Sequence, residues 1–164
     1  MQAQFVPEID VIISVAKWLH SEGWQLERVS VPRGRGIDRI GNKDKLEAEF
    51  TAVGISMDDI EFRREGEDIR ARQGSNLWKI ECKGLSSGKP TTDKNNFDRA
   101  IASAASYYTQ INGLRLGLAL PEWYKKYFRN KLPQALRVAI SLWVFLYASS
   151  DEIYVFAPDE EIPA

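Results

Sequence analysis

Two short alternating runs separated by a glycine constrain this chain more than any other feature. Residues 68–73 read DIRARQ, residues 76–83 read NLWKIECK, and Gly74 and Ser75 lie between them. In the second run Trp78, Ile80 and Cys82 share one parity and Leu77, Lys79, Glu81 and Lys83 the other. That is the period of a strand with one apolar face and one mostly polar face. In the first run Ile69 and Ala71 point one way and Asp68, Arg70 and Arg72 the other. A two-residue loop led by Gly, which accepts positive φ at little cost, closes such runs into a hairpin. Closure there sets Gln73 opposite Asn76, Ile69 opposite Ile80, and Asp68 opposite Glu81.

Ile69 against Ile80 suits a core face, whereas Asp68 against Glu81 is a pair that a bare ladder avoids, because like charges directly across it destabilise. Two carboxylates with Cβ atoms roughly 5 Å apart either share a proton or hold a cation. Oxygen ligands from one or two carboxylates suit a hard ion such as Mg²⁺, which keeps several waters. Lys83 follows Glu81 by two residues on the same face, and Arg70 faces Lys79 as a second like-charge pair. Two readings stay open: an active groove for metal and phosphates, or surface carboxylates paired with Arg70, Arg72 and Lys79.

The chain has 164 residues, 44% hydrophobic and 27% charged, which predicts one soluble globular domain with a real core. The longest apolar stretch, near residues 138–148, is too short to span a membrane, and no basic-then-apolar leader opens the sequence. With Cys82 as the single cysteine, no intrachain disulfide forms, and a cytoplasmic location is expected. The net charge of −1 hides an asymmetry: residues 115–137 hold six basic residues against Glu122 alone, and residues 151–164 hold five acidic residues and no base. The basic stretch is either a face for a phosphate backbone or a solvated helix face. The acidic one reads as a solubilising tail or a docking segment.

Along the chain, residues 5–20 predict a helix with Ile9, Ile12, Val15 or Ala16 and Leu19 at helical spacing, stopped by Gly23. Glu8 belongs to that apolar stripe. WQLERVSVP predicts a strand ended by Pro32 and the loop RGRG. Residues 34–66 form a variable insertion, with a helix over Lys43–Val53 that puts Leu46, Phe50 and Val53 on one side. After the hairpin and the loop GLSSGKPTT, a helix is expected from Asp93 or Lys94 to Ile111. It presents Phe97, Ala100, Ala104, Tyr107 or Tyr108, and Ile111. LRLGLAL (114–120) reads as a buried strand, Pro121 starts a basic helix with Trp123 and Tyr127, and LWVFLY (142–147) and IYVFA (153–157) are apolar strands. The order gives an α/β fold, a mixed sheet with helices packed on it.

Asp68, a gap of twelve residues, then Glu81-Cys82-Lys83 resembles the D…(D/E)xK signature of the PD-(D/E)xK nuclease superfamily, and the surrounding elements resemble its restriction-endonuclease-like fold, a mixed β-sheet flanked by helices. The likeness covers most of the chain outside residues 34–66. One departure is Glu67, where the family's motif often has proline. The resemblance implies an endonuclease that hydrolyses DNA phosphodiester bonds with Mg²⁺, for which Mn²⁺ substitutes. Asp68, Glu81 and the main-chain carbonyl of Cys82 would ligate the metal. Lys83 would orient the attacking water and stabilise charge on the phosphate, and Glu8 would approach the metal or Lys83. A plainer role for Glu8 is a first-turn residue favoured by the helix dipole.

DNA is the expected partner, with Arg70, Arg72, Lys79, Lys89, Lys94 and Arg99 as candidate backbone contacts. The small size suggests a homodimer or a subunit of a larger DNA-processing complex. His20 alone cannot build a His-based metal centre, Cys82 points to the core by parity, and RGRG is neither a Rossmann fingerprint nor a P-loop. Two further classes stay open: a nucleic-acid-binding module that kept the fold without turnover, and a protein-interaction subunit that docks through its acidic tail and residues 34–66.

Overall fold

The computed structural model describes residues 5–32, 38–63, 65–86 and 89–164, with residues 38–40 as backbone only. RGRG at 33–36 lies outside them. Helix α1 spans Glu8–Ser21, with Pro7 at its N-cap, where the missing N–H costs nothing. Strand β1 (Gln25–Val29), helix α2 (Asp38–Ala52) and the hairpin β2 (Ile69–Gln73) and β3 (Asn76–Cys82) follow. Helix α3 (Pro90–Ser106) crosses back to β4 (Leu114–Pro121). A 3₁₀ turn at Glu122–Tyr124, α4 (Lys125–Lys131), α5 (Gln134–Ala139), β5 (Leu142–Ser149) and β6 (Glu152–Phe156) complete the order.

The six strands form one sheet in chain order, antiparallel from β1 to β3, parallel from β3 to β5, and antiparallel again at β6. From Ile69 to Asn76 the hairpin keeps the predicted register, with Ile69 opposite Ile80, Arg70 opposite Lys79 and Gln73 opposite Asn76; the expected Asp68–Glu81 pair lies beyond this ladder, where the Asp68 N–H turns to the Ile80 carbonyl. Gly74 takes φ +59° at the turn.

Strand parity divides the core. Ile69, Ala71, Trp78, Ile80 and Cys82 pack with α1 and with Leu46 and Phe50 of α2. On the other face Leu77, Leu116, Leu118 and Leu120 pack with Phe97, Ala100 and Ala104 of α3 and Phe128 of α4. Strand β4 is covered on both sides, as its nearly continuous apolar run requires.

Several local expectations change. The helix after the hairpin starts three residues early and ends at Ser106, so Ile111 lies outside it and is 56% exposed. Val53 leaves the α2 stripe and is exposed, because the helix stops at Ala52 and the chain turns at Gly54 with φ +79°. Helix α5, which ends as the apolar stretch near 138–148 begins, is an addition to the expected order. The acidic tail is not simply solvated: buried Arg137 of α5 donates to the carbonyls of Ala157 and Glu160, and Ile162 packs on the second core. Among the described residues no helix is long and apolar enough to cross a membrane.

Candidate active site

Asp68 sits one residue before β2, where the ladder continues through its side chain. Its N–H donates to the Ile80 carbonyl at 3.0 Å, and its Oδ2 accepts the Cys82 N–H at 2.8 Å. The N–H and C=O of one strand residue point to the same edge. The Cys82 carbonyl is therefore turned toward Asp68 as well. Glu81 lies close enough to Asp68 for the two carboxyl groups to act on each other.

Chain geometry at the end of β3 brings the remaining members in. Val6 and Leu85 exchange both backbone hydrogen bonds, at 2.9 and 2.8 Å, pinning the start of α1 beside the strand exit. Gly84 permits this approach, since a Cβ there would lie 2.4 Å from the Val6 carbonyl oxygen and 2.6 Å from the Glu8 nitrogen. Glu8 thereby reaches Lys83, with Oε1 3.8 Å from Nζ. It is a neighbour of the carboxylate pair and not only a first-turn residue facing water.

The electrostatics follow from crowding acids in partial burial. Burial, and then the charge of Glu81, push Asp68 up to about 8. Burial likewise raises Glu81 and Glu8, with Lys83 acting in the opposite direction on both. Burial raises the Cys82 thiol as well, so it packs and does not react.

The basic residues of the hairpin do not neutralise this pair. Arg70 donates to Glu67 at 2.6 Å, and Arg72 pairs with Glu27 at 3.2 Å. Lys79 is half-buried opposite Arg70 and makes no ion pair among the described residues. Lys89 lies at the N-cap of α3, and Lys94 and Arg99 are exposed along that helix. The structure thus brings together Glu8, Asp68, Glu81, Cys82 and Lys83, and leaves Arg70 and Arg72 engaged by acids outside the pair.

Two participants were not singled out from the sequence. The Tyr107 hydroxyl lies 2.6 Å from Glu81 Oε2 and 3.1 Å from the Gly66 carbonyl oxygen, tying the end of α3 to both strands. A phenol closing an alanine-rich helix face needs a polar partner when half-buried, and that was the available signal. Glu67, noticed only as a replacement for proline, is buried and pairs with both Arg28 and Arg70.

Among the described residues no group of three or more His, Cys, Asp or Glu side chains is arranged to hold a metal ion. Mg²⁺ is commonly held through one or two carboxylates, with waters and substrate phosphates completing its shell. Asp68 and Glu81, unneutralised by arginine and flanked by a main-chain carbonyl, are a donor set of that kind. Hollows of about 500 Å³, beside Glu27 and Arg72, and of about 380 Å³, lined by His20, Trp24, Leu26 and Ile55, lie elsewhere and contain neither Asp68 nor Glu81. No family model, curated protein or solved structure matches the chain.

Proposed function

We propose that this protein is a divalent-metal-dependent endonuclease that hydrolyses DNA phosphodiester bonds, built on a restriction-endonuclease-like sheet. The observation that carries the reading is the half-buried Asp68–Glu81 pair, left uncompensated by Arg70 and Arg72 and bordered by Lys83. The element order also supports it: a helix, three antiparallel strands with α2 inserted after the first, a helix and a strand parallel to the third.

In this reading Asp68, Glu81 and the Cys82 carbonyl hold Mg²⁺ or Mn²⁺. The bound cation supplies charge that polarises a phosphoryl oxygen and lowers the pKa of a water. Lys83 sets its ammonium beside the phosphate, where it stabilises the charge that grows as water attacks in line and the leaving oxygen departs. Glu8 pairs with Lys83 at 3.8 Å and orients its ammonium. Tyr107 fixes the Glu81 carboxylate through its hydroxyl.

The test is nicking of supercoiled plasmid with Mg²⁺ or Mn²⁺, beside an EDTA control and the folded variants Asp68→Ala, Glu81→Ala and Lys83→Ala. Metal-dependent nicking lost in each control is expected. Variants that cut like the parent would remove the assignment, and DNA binding without any cutting would make the chain a binding module.

A further inference from the structure

The turn that follows β4 carries an aromatic and basic cluster at the same end of the sheet as the carboxylate pair. Lys83 donates its N–H to the Ala119 carbonyl at 3.0 Å, and β4 then runs through Pro121 into the 3₁₀ turn Glu122–Tyr124. Tyr124 returns its hydroxyl to the carbonyl of Gly84, the residue after Lys83, at 3.2 Å. Trp123 is therefore fixed to the rim of the site by its own neighbour.

Trp123 is itself held, although its side chain is only half-buried. Its indole Nε1 donates at 3.2 Å to Oδ2 of Asp93, a carboxylate with 0% exposure. A buried acid that receives an indole N–H sets the orientation of the ring more firmly than apolar packing does. On that ring lies the exposed Lys126, its Nζ 3.9 Å from the centroid and 5.3 Å from that of Tyr127. Tyr127 rests on Phe97 of α3 with centroids 5.6 Å apart. Exposed Arg129 on α4 and Lys94 on α3 add positive charge, while Lys131 is taken up by Asp98.

We propose that Trp123, with Lys126 and Tyr127 around it, is a stacking site for an unpaired base of single-stranded DNA, so that the substrate presents a single-stranded segment beside the carboxylates. This rests on the nuclease reading only for what happens after binding. An oriented, partly exposed indole surrounded by cations is the arrangement that binds single strands, in which bases stack on aromatic rings and the backbone follows positive charge. Lys126 covers one face of the indole in the free chain, and an exposed cation–π contact is weaker than base stacking. An incoming base displaces Lys126, whose ammonium then meets the adjacent phosphate. The duller role, a lysine stem shielding a packed tryptophan, predicts no dependence on bases at all.

The experiment is fluorescence anisotropy in EDTA with labelled oligo(dT), an abasic strand of equal length and a duplex of equal length. The parent chain is expected to bind oligo(dT) roughly 5- to 100-fold more tightly than the abasic strand. Trp123→Ala should remove most of that preference, Trp123→Phe should keep part of it, and Lys126→Ala should lower the salt slope by about one. Equal binding of the abasic strand by the parent chain, tightest binding of the duplex, or unchanged oligo(dT) binding in a folded Trp123→Ala would each overturn the proposal. Binding is read without metal, so the two readings separate. A base preference without plasmid nicking keeps the stacking site and removes the nuclease, and nicking without a base preference does the reverse.

Discussion

Asp68 carries the sharpest consequence at the scale of a single residue. Its carboxyl group is pushed up to about 8, first by burial and then by Glu81, whereas an unfolded chain releases the same proton near pH 4. Between those values the folded chain binds more protons than the unfolded one. Its stability is therefore complete below about pH 4 and is lost as pH rises toward 8. Ordinary carboxylates have largely titrated by pH 5, so comparing the parent with an Asp68 variant from pH 5 to 8 reads this group and its neighbours. In EDTA the melting temperature of the parent should fall across that window, and Asp68→Asn, whose amide oxygen still accepts the Cys82 N–H, should flatten the fall. Parallel profiles for the two chains would show that Asp68 ionises normally. Saturating Mg²⁺, at about a hundred times its dissociation constant, should stabilise the parent at pH 8 by about 2.7 kcal/mol and leave Asp68→Asn unmoved. Tyr107 acts on the other carboxylate. Loss of its hydroxyl in Tyr107→Phe frees Glu81 from the Gly66 segment, and outer hydrogen bonds to ligands are commonly worth 10- to 100-fold in metal affinity. An Mn²⁺ titration followed by electron paramagnetic resonance should show a loss of about that size, and an unchanged affinity would leave Tyr107 as packing.

Among the elements, the hairpin was legible because two independent constraints agree there. Period-2 alternation fixes which side chains face the core, and Gly74 fixes where the chain reverses, so a slip of one residue would have buried Arg70 and Lys79. What alternation could not supply is partner choice. Of the two readings left open for Arg70 and Arg72, ion pairing with Asp68 and Glu81 is not what forms: they bind Glu67 and Glu27, the second on β1, a strand remote in sequence. Glu67 was illegible as a structural anchor for the same reason: its other partner, Arg28, comes from β1 at 3.3 Å. Removing Glu67 leaves the largely buried Arg28 with Glu61 alone, at 3.9 Å. Glu67→Ala should therefore cost about 3 kcal/mol or more in urea denaturation, while a double change that also replaces Arg28 by Met should recover part of it. A shift under about 0.5 kcal/mol, the range of ordinary surface substitutions, would mean that water satisfies Arg28 and that the pairing does not hold β1 against β2. Helix α5 escaped the sequence reading because its polarity is inverted: Arg137 is buried, while Leu136 and Val138 are exposed.

For the molecule as a whole, charge is divided between a basic turn and helix after β4 and an acidic terminus, and the structure ties the terminus down. Arg137, 3% exposed, donates to the Ala157 carbonyl at 3.2 Å and the Glu160 carbonyl at 2.7 Å, while Gln134 donates to that of Asp159. Burial lowers the pKa of the guanidinium, which the charges of Asp159 and Glu160 oppose. A tail that served only solubility, or only a partner, could be cut away without affecting the fold. Here, removal of residues 158–164 takes one acceptor from a buried cation and uncovers the core beneath Ile162. Leaving a hydrogen bond to a charged group unmade costs about 1–3 kcal/mol. The shortened chain should lose at least that in a denaturant titration. Arg137→Met in the shortened chain should restore part of the loss, because the methionine fills the same space without a charge to satisfy. If the shortened chain is as stable as the parent, the contacts of Arg137 add nothing to the fold and the terminus is free for another surface.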